Sequence, residues 1–347
     1  MTKPRLRALV LTAGLGSRLR PLTAQCPKPL LPVLGRPLVS STLDRLEAAG
    51  CDSVALNLHH LGETIREAFG DRHGEMPLVY SRERELLGTL GALQPLRDFL
   101  AEADYVLLVN GDSLCRWPLE ELVDHHLESG AEATLLLSLT AEVSVFGSVD
   151  VDERDRIVGC PGFRPPGTVA GGTVAGEAGT RELVFAGAHV FSPDLIDSVA
   201  PGFAGIFDLY ARLLEQGRHL QGLVSDTPWH DLGTPRRYLE AVRSWSPAGR
   251  SWLAPTAWVS ESAEVKESVI EGGARVGPGS RCLDSLLMPG SSLAAGACAS
   301  NIVLGSGASV PSRMHVADCL LTLRNAGMAP GSRILGENLV ETPLDIR

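Results

Sequence analysis

The sequence has no C-x-x-C pair among its seven cysteines, and seven is an odd number, so neither a disulfide framework nor a zinc-ribbon spacing can be drawn. Reduced thiols in a cytoplasmic protein are the simplest expectation. No apolar run is longer than a strand, which argues against a transmembrane helix. The opening "MTKPRLRALVLTAG" runs directly into a strand pattern without a secretory h-region. Positive charge is also short: 31 Lys and Arg stand against 41 Asp and Glu, and the basic residues are scattered. That removes the broad electrostatic footprint of a nucleic-acid binder, while leaving room for a local basic site for small phosphates.

What is present is glycine and proline, 37 and 23 residues in a chain of 347. The length exceeds one typical core, so a large domain and a smaller one are expected. "RALVLT" (7–12) is a continuous apolar run, as in a strand buried on both faces. Leu38, Val39, Thr42, Leu43, Leu46 and Ala49 then form one helical stripe stopped by Gly50. Strand and helix patterns alternate through "SVALNL", "GETIREAF", "YVLLVN", residues 118–128 and "ATLLLSL". They resume at "LVFAGAHVF", "GIFDLYARLLEQG" and "PRRYLEAVRSW". This alternation predicts a Rossmann-like α/β fold with a mostly parallel sheet over 1–245, whose ligand site lies beyond the carboxyl ends of the strands. Residues 161–181, rich in Gly, Pro and Thr, read as a mobile loop or insertion.

After "SPAGR" (246–250) the texture changes. Leu253, Ile270, Leu287, Leu304 and Leu321 recur every 17 residues, Val259, Val276, Leu293 and Val310 fall six later, and Val265, Cys282, Ala299 and Val316 six after that. Steps of six, six and five suit a three-sided coil with one inward apolar residue per face and glycine at the corners. A parallel β-helix of about four turns over 251–340 is the expectation; a Gly-rich unstructured tail is the alternative it displaces.

The segment "LTAGLGSRLRPLTAQCPKPLLPVLGRPL" carries the chemistry. Gly14 and Gly16 follow a buried strand, where missing side chains let backbone N–H groups approach an anion. Arg18 suits bidentate contact with phosphate oxygens, and Lys28 is a point charge stiffened by Pro27 and Pro29. Leu19 stands where a dinucleotide fingerprint needs its third glycine, and no Walker A lysine follows, so the loop is a phosphate cradle of another kind. Gly14-x-Gly16-x-Arg18-x-x-Pro21-Leu22-Thr23 followed by Pro27-Lys28-Pro29-Leu30 resembles the sugar-1-phosphate nucleotidyltransferases. The members it most resembles are the mannose-1-phosphate guanylyltransferase-like ones, whose C-terminal β-helix is left-handed.

The resemblance implies an enzyme that joins a nucleoside triphosphate to a sugar 1-phosphate, with Mg2+ as cofactor. It implies Ala13, Gly14, Gly16, Ser17 and Arg18 around the triphosphate, and Arg18, Lys28 and Asp112 as the catalytic set. Asp112, at the end of "VLLVNGD", and Asp231, in the turn "WHDLGT", become the metal ligands. "YSRERELLGTLGALQPL" is similar to the segment that reads the nucleobase, with Gly88 and Gly91 giving access and Glu83, Glu85 or Thr89 able to hydrogen-bond the base edge. Its Leu-Gly-Thr-x-Gly looks more like guanylyl- than thymidylyl-transferring members. Gly147 and the Ala186-Gly187 pair correspond to the sugar subsite. There the family's Glu-Lys-Pro is replaced by "CPGFRPP", in which Arg164 is the nearest cation for the sugar phosphate.

Other readings are a catalytically silent regulatory subunit that binds a nucleotide-sugar, a thymidylyl or uridylyl transferase acting on glucose or another sugar phosphate, and a bifunctional enzyme with an acyltransferase β-helix. In the last, His315 is the only histidine after residue 230 and would have to be the base. His189, His219 and His230 receive no role. Neither nucleic acid nor membrane is an expected partner, and the flat faces of the solenoid point to a homo-oligomer.

Overall fold

The computed structural model of the protein describes residues 3–140, 142–164, 180–198, 204–247, 249–335 and 338–345. The chain forms two compact units, one of Met1–Gly14 with Ser41–Trp229, the other of Leu15–Ser40 with His230–Arg347.

In the first unit, β1 (Leu6–Leu11), β2 (Ser53–Leu58), β3 (Met76–Arg82) and β4 (Tyr105–Asn110) lie parallel in the order β3-β2-β1-β4. Their near-continuous apolar sequences follow from burial on both faces; all six side chains of β2 are buried. β5 (Ala133–Ser138), β6 (Val149–Val151), β7 (Ile157–Gly159), β8 (Arg181–Phe191) and β9 (Leu220–Ser225) join the same ten-stranded sheet, which the short strand Arg72–His73 edges beside β3. β8 departs from the parallel pattern: it runs antiparallel between β4 and β5, and its outer end pairs with β6. The register slips between Phe185 and His189, which bends the strand at Ala186-Gly187. The helical stripes become α1 (Leu38–Ala48), α2 (Gly62–Phe69), α3 (Leu119–Ser129) and α4 (Ile206–Glu215). Leu9, Leu108, Leu135, Phe191, Leu209 and Tyr210 belong to one core between sheet and helices. Of the loop expected at 161–181, residues 165–179 lie outside the described residues.

In the second unit, helix α5 (Pro235–Trp245) precedes the β-helix. Three stacked ladders pair at 17-residue steps: Leu253, Ile270, Leu287, Leu304 and Leu321 on the first face, Val259, Val276, Leu293 and Val310 on the second, Val265, Cys282, Ala299 and Val316 on the third. The predicted inward rows form one apolar core. Leu253 stays 44% exposed, because it lies in the first coil and has a stacked neighbour on one side only. Antiparallel pairing of Cys319–Leu323 with Leu339–Pro343 ends the parallel stack at the other end.

Glycine occupies only two of the three corners, Gly273, Gly290 and Gly307 at one and Gly279 and Gly296 at another, all with left-handed φ. The third corner is also left-handed but is built from Glu267, Asp284, Asn301 and Asp318, with φ between 43° and 55°. Asn and Asp tolerate this region because their short polar side chains bond locally. Here Asn301 donates to Asp318 at 2.6 Å, while Arg243 of α5 grips Glu267 at 3.2 Å and Asp284 at 2.5 Å.

The first face is apolar on both sides. Val269, Leu286, Val303 and Leu320 form a second row, pointing out of the coil, and each is 0% exposed. α5 packs against this face, so the solenoid contributes its wall to a second core. Among the described residues no helix is long and apolar enough to cross a membrane.

Leu287 is fully buried in the middle coil. Leu287→Ala is expected to destabilise the protein by about 2–5 kcal/mol, the cost of the lost transfer energy plus the cavity. The shift in urea midpoint for the β-helix transition checks this value.

Candidate functional site

In the first unit the carboxyl ends of the parallel strands are tied together by side chains. Where β1 ends, Thr12 N and Ala13 N donate to Asn57 Oδ1 at 2.7 and 3.3 Å. Asn57, the one amide in "SVALNL", donates in turn to Glu83 Oε1 at 2.7 Å. The other Glu83 oxygen accepts from Leu87 N at 3.0 Å. Glu83 is buried with both oxygens engaged, and it fixes the turn that delivers Gly88, whose φ is +73°, and the half-buried Thr89. Glu85 is exposed.

β4 ends in Asn110-Gly111-Asp112. A Cβ on Gly111 would stand 2.8 Å from the Leu11 carbonyl, so the ends of β1 and β4 close on each other only because that atom is missing. Asp112 comes out of this contact half-buried at the strand edge. On the other side, a Cβ at Gly187 would meet Asn110 Nδ2 at 2.9 Å, and Trp117 Nε1 donates to the Ala186 carbonyl at 3.1 Å. Gly147 takes a left-handed turn just before Ser148 and β6. Arg164, the nearest cation in the "CPGFRPP" stretch, bonds Asp150 at 2.9 Å and also donates to Ser148. His189 is a core residue: burial pulls its pKa down to about 3, and its neutral ring shares a 2.6 Å hydrogen bond with the Tyr210 hydroxyl.

The second unit gathers the cations. Gly16 has φ +58°, and its carbonyl accepts from Thr23 Oγ1 at 2.7 Å and Leu19 N at 2.9 Å. A Cβ there would lie 2.9 Å from the Thr23 methyl, so both the left-handed turn and the packing demand glycine. Gly14, Ser17 and Arg18 are exposed around this turn. Lys28 is only 6% exposed, and its Nζ stands 3.9 Å from Asp231 Oδ1. Arg237 Nη1 donates to the other oxygen, Oδ2, at 3.3 Å. Arg18 passes close by: a Cβ on Gly233 would be 2.6 Å from Asp231 Oδ2 and 2.9 Å from Arg18 Nη1. Two cations therefore share this carboxylate, with the Arg18 guanidinium close beside them.

Arg237 and Gly233 were not among the residues read from the sequence, although a signal was there. Thr234 caps α5 by accepting from Arg237 N at 3.3 Å, and Pro235 occupies the first turn. "GTPRR" thus puts two arginines at the positive end of a helix dipole, where cations are disfavoured. A broken local rule of this kind points to function. Asn57 left a weaker trace, as an amide in a fully buried strand.

The fold meets comparison with known proteins consistently. Residues 7–246 match the family model described as "Nucleotidyl transferase". A mannose-1-phosphate guanylyltransferase of Mycobacterium tuberculosis is 30% identical, with 85% of this chain and 83% of the relative covered. The chain belongs to the sugar-1-phosphate nucleotidyltransferase family. A UTP–glucose-1-phosphate uridylyltransferase of Synechocystis is 27% identical over 81% of this chain and 87% of its own. The crystal structure of HddC from Yersinia pseudotuberculosis shares the fold, with a TM-score of 0.55 and 21% identity over 69% of this chain and 99% of that one.

For a transferase of polyphosphates, a hard divalent ion needs few protein ligands, since substrate and water oxygens supply the rest. Among the described residues no three His, Cys, Asp or Glu side chains gather as a metal cage. Asp112, half-buried at a strand edge of the first unit, and Asp231 in the second are each a carboxylate of the kind such an ion takes. Asp231, though gripped by Lys28 and Arg237, keeps acceptor capacity, because a carboxylate has about four lone-pair sites.

Gly233→Ala tests this grouping. The added methyl meets the side-chain ends of Asp231 and Arg18 rather than backbone, so the melting temperature should fall little. Turnover by the transferase should nevertheless fall roughly tenfold or more, as expected when charged groups are displaced by a fraction of an ångström. Steady-state rates with a matched melting curve check both halves.

Proposed function

We propose that the transferase joins GTP to mannose 1-phosphate, forming GDP-mannose and releasing pyrophosphate. The observation that carries the reading is the pairing of Lys28 and Arg237 with Asp231, beside the Arg18 guanidinium at Gly233. Two highly charged phosphates must be brought together, and this reaction depends on charge neutralisation and in-line positioning more than on acid–base chemistry.

In this reading the Ala13–Arg18 loop and Lys28 hold the triphosphate. A phosphate oxygen of the sugar substrate attacks the α-phosphorus, a new P–O bond forms, and the bond to pyrophosphate breaks. Lys28, Arg18 and Arg237 offset the negative charge on the departing pyrophosphate. Asp112 and Asp231 are the proposed carboxylates for Mg2+, which would neutralise phosphate charge when bound. The base stacks near Gly88 and Thr89, in a turn whose shape Glu83 maintains through Leu87 N. The sugar lies against Gly147 and Gly187. Arg164 has five N–H donors, so binding Asp150 and Ser148 leaves others for the sugar phosphate. We assign catalysis to residues 1–245 and a left-handed β-helix to 251–340, with self-association through the latter, in the cytoplasm.

The test is pyrophosphate release with Mg2+ over a grid of nucleoside triphosphates and sugar 1-phosphates. GTP with mannose 1-phosphate should be the productive pair. Preference for UTP with glucose 1-phosphate would transfer the reading to the activity named for the Synechocystis relative. Silence across the grid, with nucleotide-sugar still bound, would identify a regulatory subunit instead. Asp112→Asn should lower turnover by about two orders of magnitude or more at saturating Mg2+, with a smaller effect on triphosphate affinity. Unchanged turnover would remove Asp112 as a ligand.

A further inference from the structure

The phosphate loop belongs to the same compact unit as the β-helix, and the two meet along one row of the first face. That row runs Ala254, Glu271, Met288, Gly305 and Thr322, each residue following the inward one of its coil. A Leu22 methyl lies 3.6 Å from where a Gly305 Cβ would stand. Gln25 Nε2 donates to the Asn325 carbonyl at 3.2 Å. The Trp252 ring lies 3.2 Å from the Cβ position of Gly35. The segment that carries Arg18 and Lys28 is therefore laid along the solenoid.

Its firmest attachment is at Glu271. Beyond Lys28 the chain forms a tight hairpin in which Pro32 pairs with Pro37 and Val33 with Arg36. The turn residues Leu34 and Gly35 both have positive φ, 48° and 82°. Such a turn is ordinarily made of Asn, Asp and Gly, and leucine in this region is strained. Glu271 Oε2 accepts from Gly35 N at 2.9 Å, from a side chain that is 1% exposed. The other end of the hairpin is tied to α5: the Tyr238 hydroxyl donates to the Pro32 carbonyl at 2.6 Å, and α5 starts just after Asp231. The closed circuit runs from Glu271 through the turn to Pro32, back along the chain to Lys28, across to Asp231, and through α5 to Tyr238.

We infer that the β-helix is the positioning scaffold of the phosphate loop, and that Glu271 is a positioning residue that sets Lys28 by holding the Leu34–Gly35 turn. This rests on the proposed role of the loop in binding triphosphate. A buried carboxyl with one oxygen, Oε1, lacking a hydrogen-bond partner is a poor choice for stability alone. Burial lifts its pKa to about 7, against the opposing pull of the Gly35, Leu34 and Gly272 amides. At the equivalent position the other coils carry Ala254, Met288, Gly305 and Thr322, none of them ionisable, so the solenoid itself has no need of a carboxylate.

The experiment compares wild type, Glu271→Ala, Glu271→Gln and Trp252→Ala in the full chain. GTP and UTP affinity is measured by calorimetry with Mg2+, and KM and kcat with the productive substrate pair. Loss of the turn's anchor should weaken triphosphate binding and raise its KM roughly tenfold in Glu271→Ala, with kcat changed less. Trp252→Ala should move the same parameter in the same direction. Glu271→Gln, which keeps an oxygen for Gly35 N–H, should recover most of the loss. Arg281→Ala, on the third face, should leave the affinity unchanged. Equal triphosphate affinity and KM in wild type and both alanine variants would overturn the inference, even if melting temperatures fell, since that is the signature of a structural role alone. An inactive wild type that binds triphosphate would sink the proposed reaction, while the affinity comparison would still decide the scaffold.

Discussion

Like charges have to be held close together before the anion they serve arrives. Two unit charges about 4 Å apart interact by about 4 kcal/mol at an effective dielectric of about 20. Lys28 and Arg237 would repel each other without a carboxylate between them. Asp231 supplies it, with Lys28 at 3.9 Å and Arg237 at 3.3 Å on opposite oxygens. The arrangement depends on a small residue, Gly233, since any side chain there would occupy the space of the Asp231 oxygen and the Arg18 guanidinium. Lys28 sits in a setting that excludes most water, where charged interactions are stronger than in bulk solvent.

Such a cluster needs rigid supports, and the chain provides them from elements far apart in sequence. Arg18 and Lys28 come from a segment with almost no regular structure, only short turns and a two-residue hairpin. A loop of this kind is held in place by what it packs against. Asp231 and Arg237 come from the start of α5, which packs on the doubly apolar face of the solenoid. The β-helix therefore has a mechanical part in the architecture, over and above the self-association proposed for it. Its first face is buried on both sides, whereas the second and third present polar residues such as Arg275, Ser309, Arg281 and His315 outward.

The first unit solves a different problem, which is to align the ends of parallel strands. Backbone groups that leave a sheet lose their ladder partners and must find others. Asn57 takes two amides at the end of β1, Glu83 takes Asn57 and Leu87, and Gly111 lets β4 approach β1 closely. Glu83, which the resemblance placed at the base, has both oxygens committed to this network.

Local pattern determined much of this protein. The buried strands, the amphipathic helices and the 17-residue coil were legible because side-chain periodicity follows directly from burial on one face or two. The glycines of the phosphate loop and the pair Arg18 and Lys28 were legible for a similar reason, since loop chemistry is written in consecutive residues. The outer row Val269, Leu286, Val303 and Leu320 repeats with the same 17-residue period as the inner row, yet a single coil repeat does not say that a second core lies outside it. Only the tertiary structure decided that Arg237 shares Asp231 with Lys28, that Gly233 makes room for them, and that Glu271, 236 positions from Gly35, holds its amide. These are contacts between distant segments. Their energy depends on which surfaces folding brings together, and no local period records that.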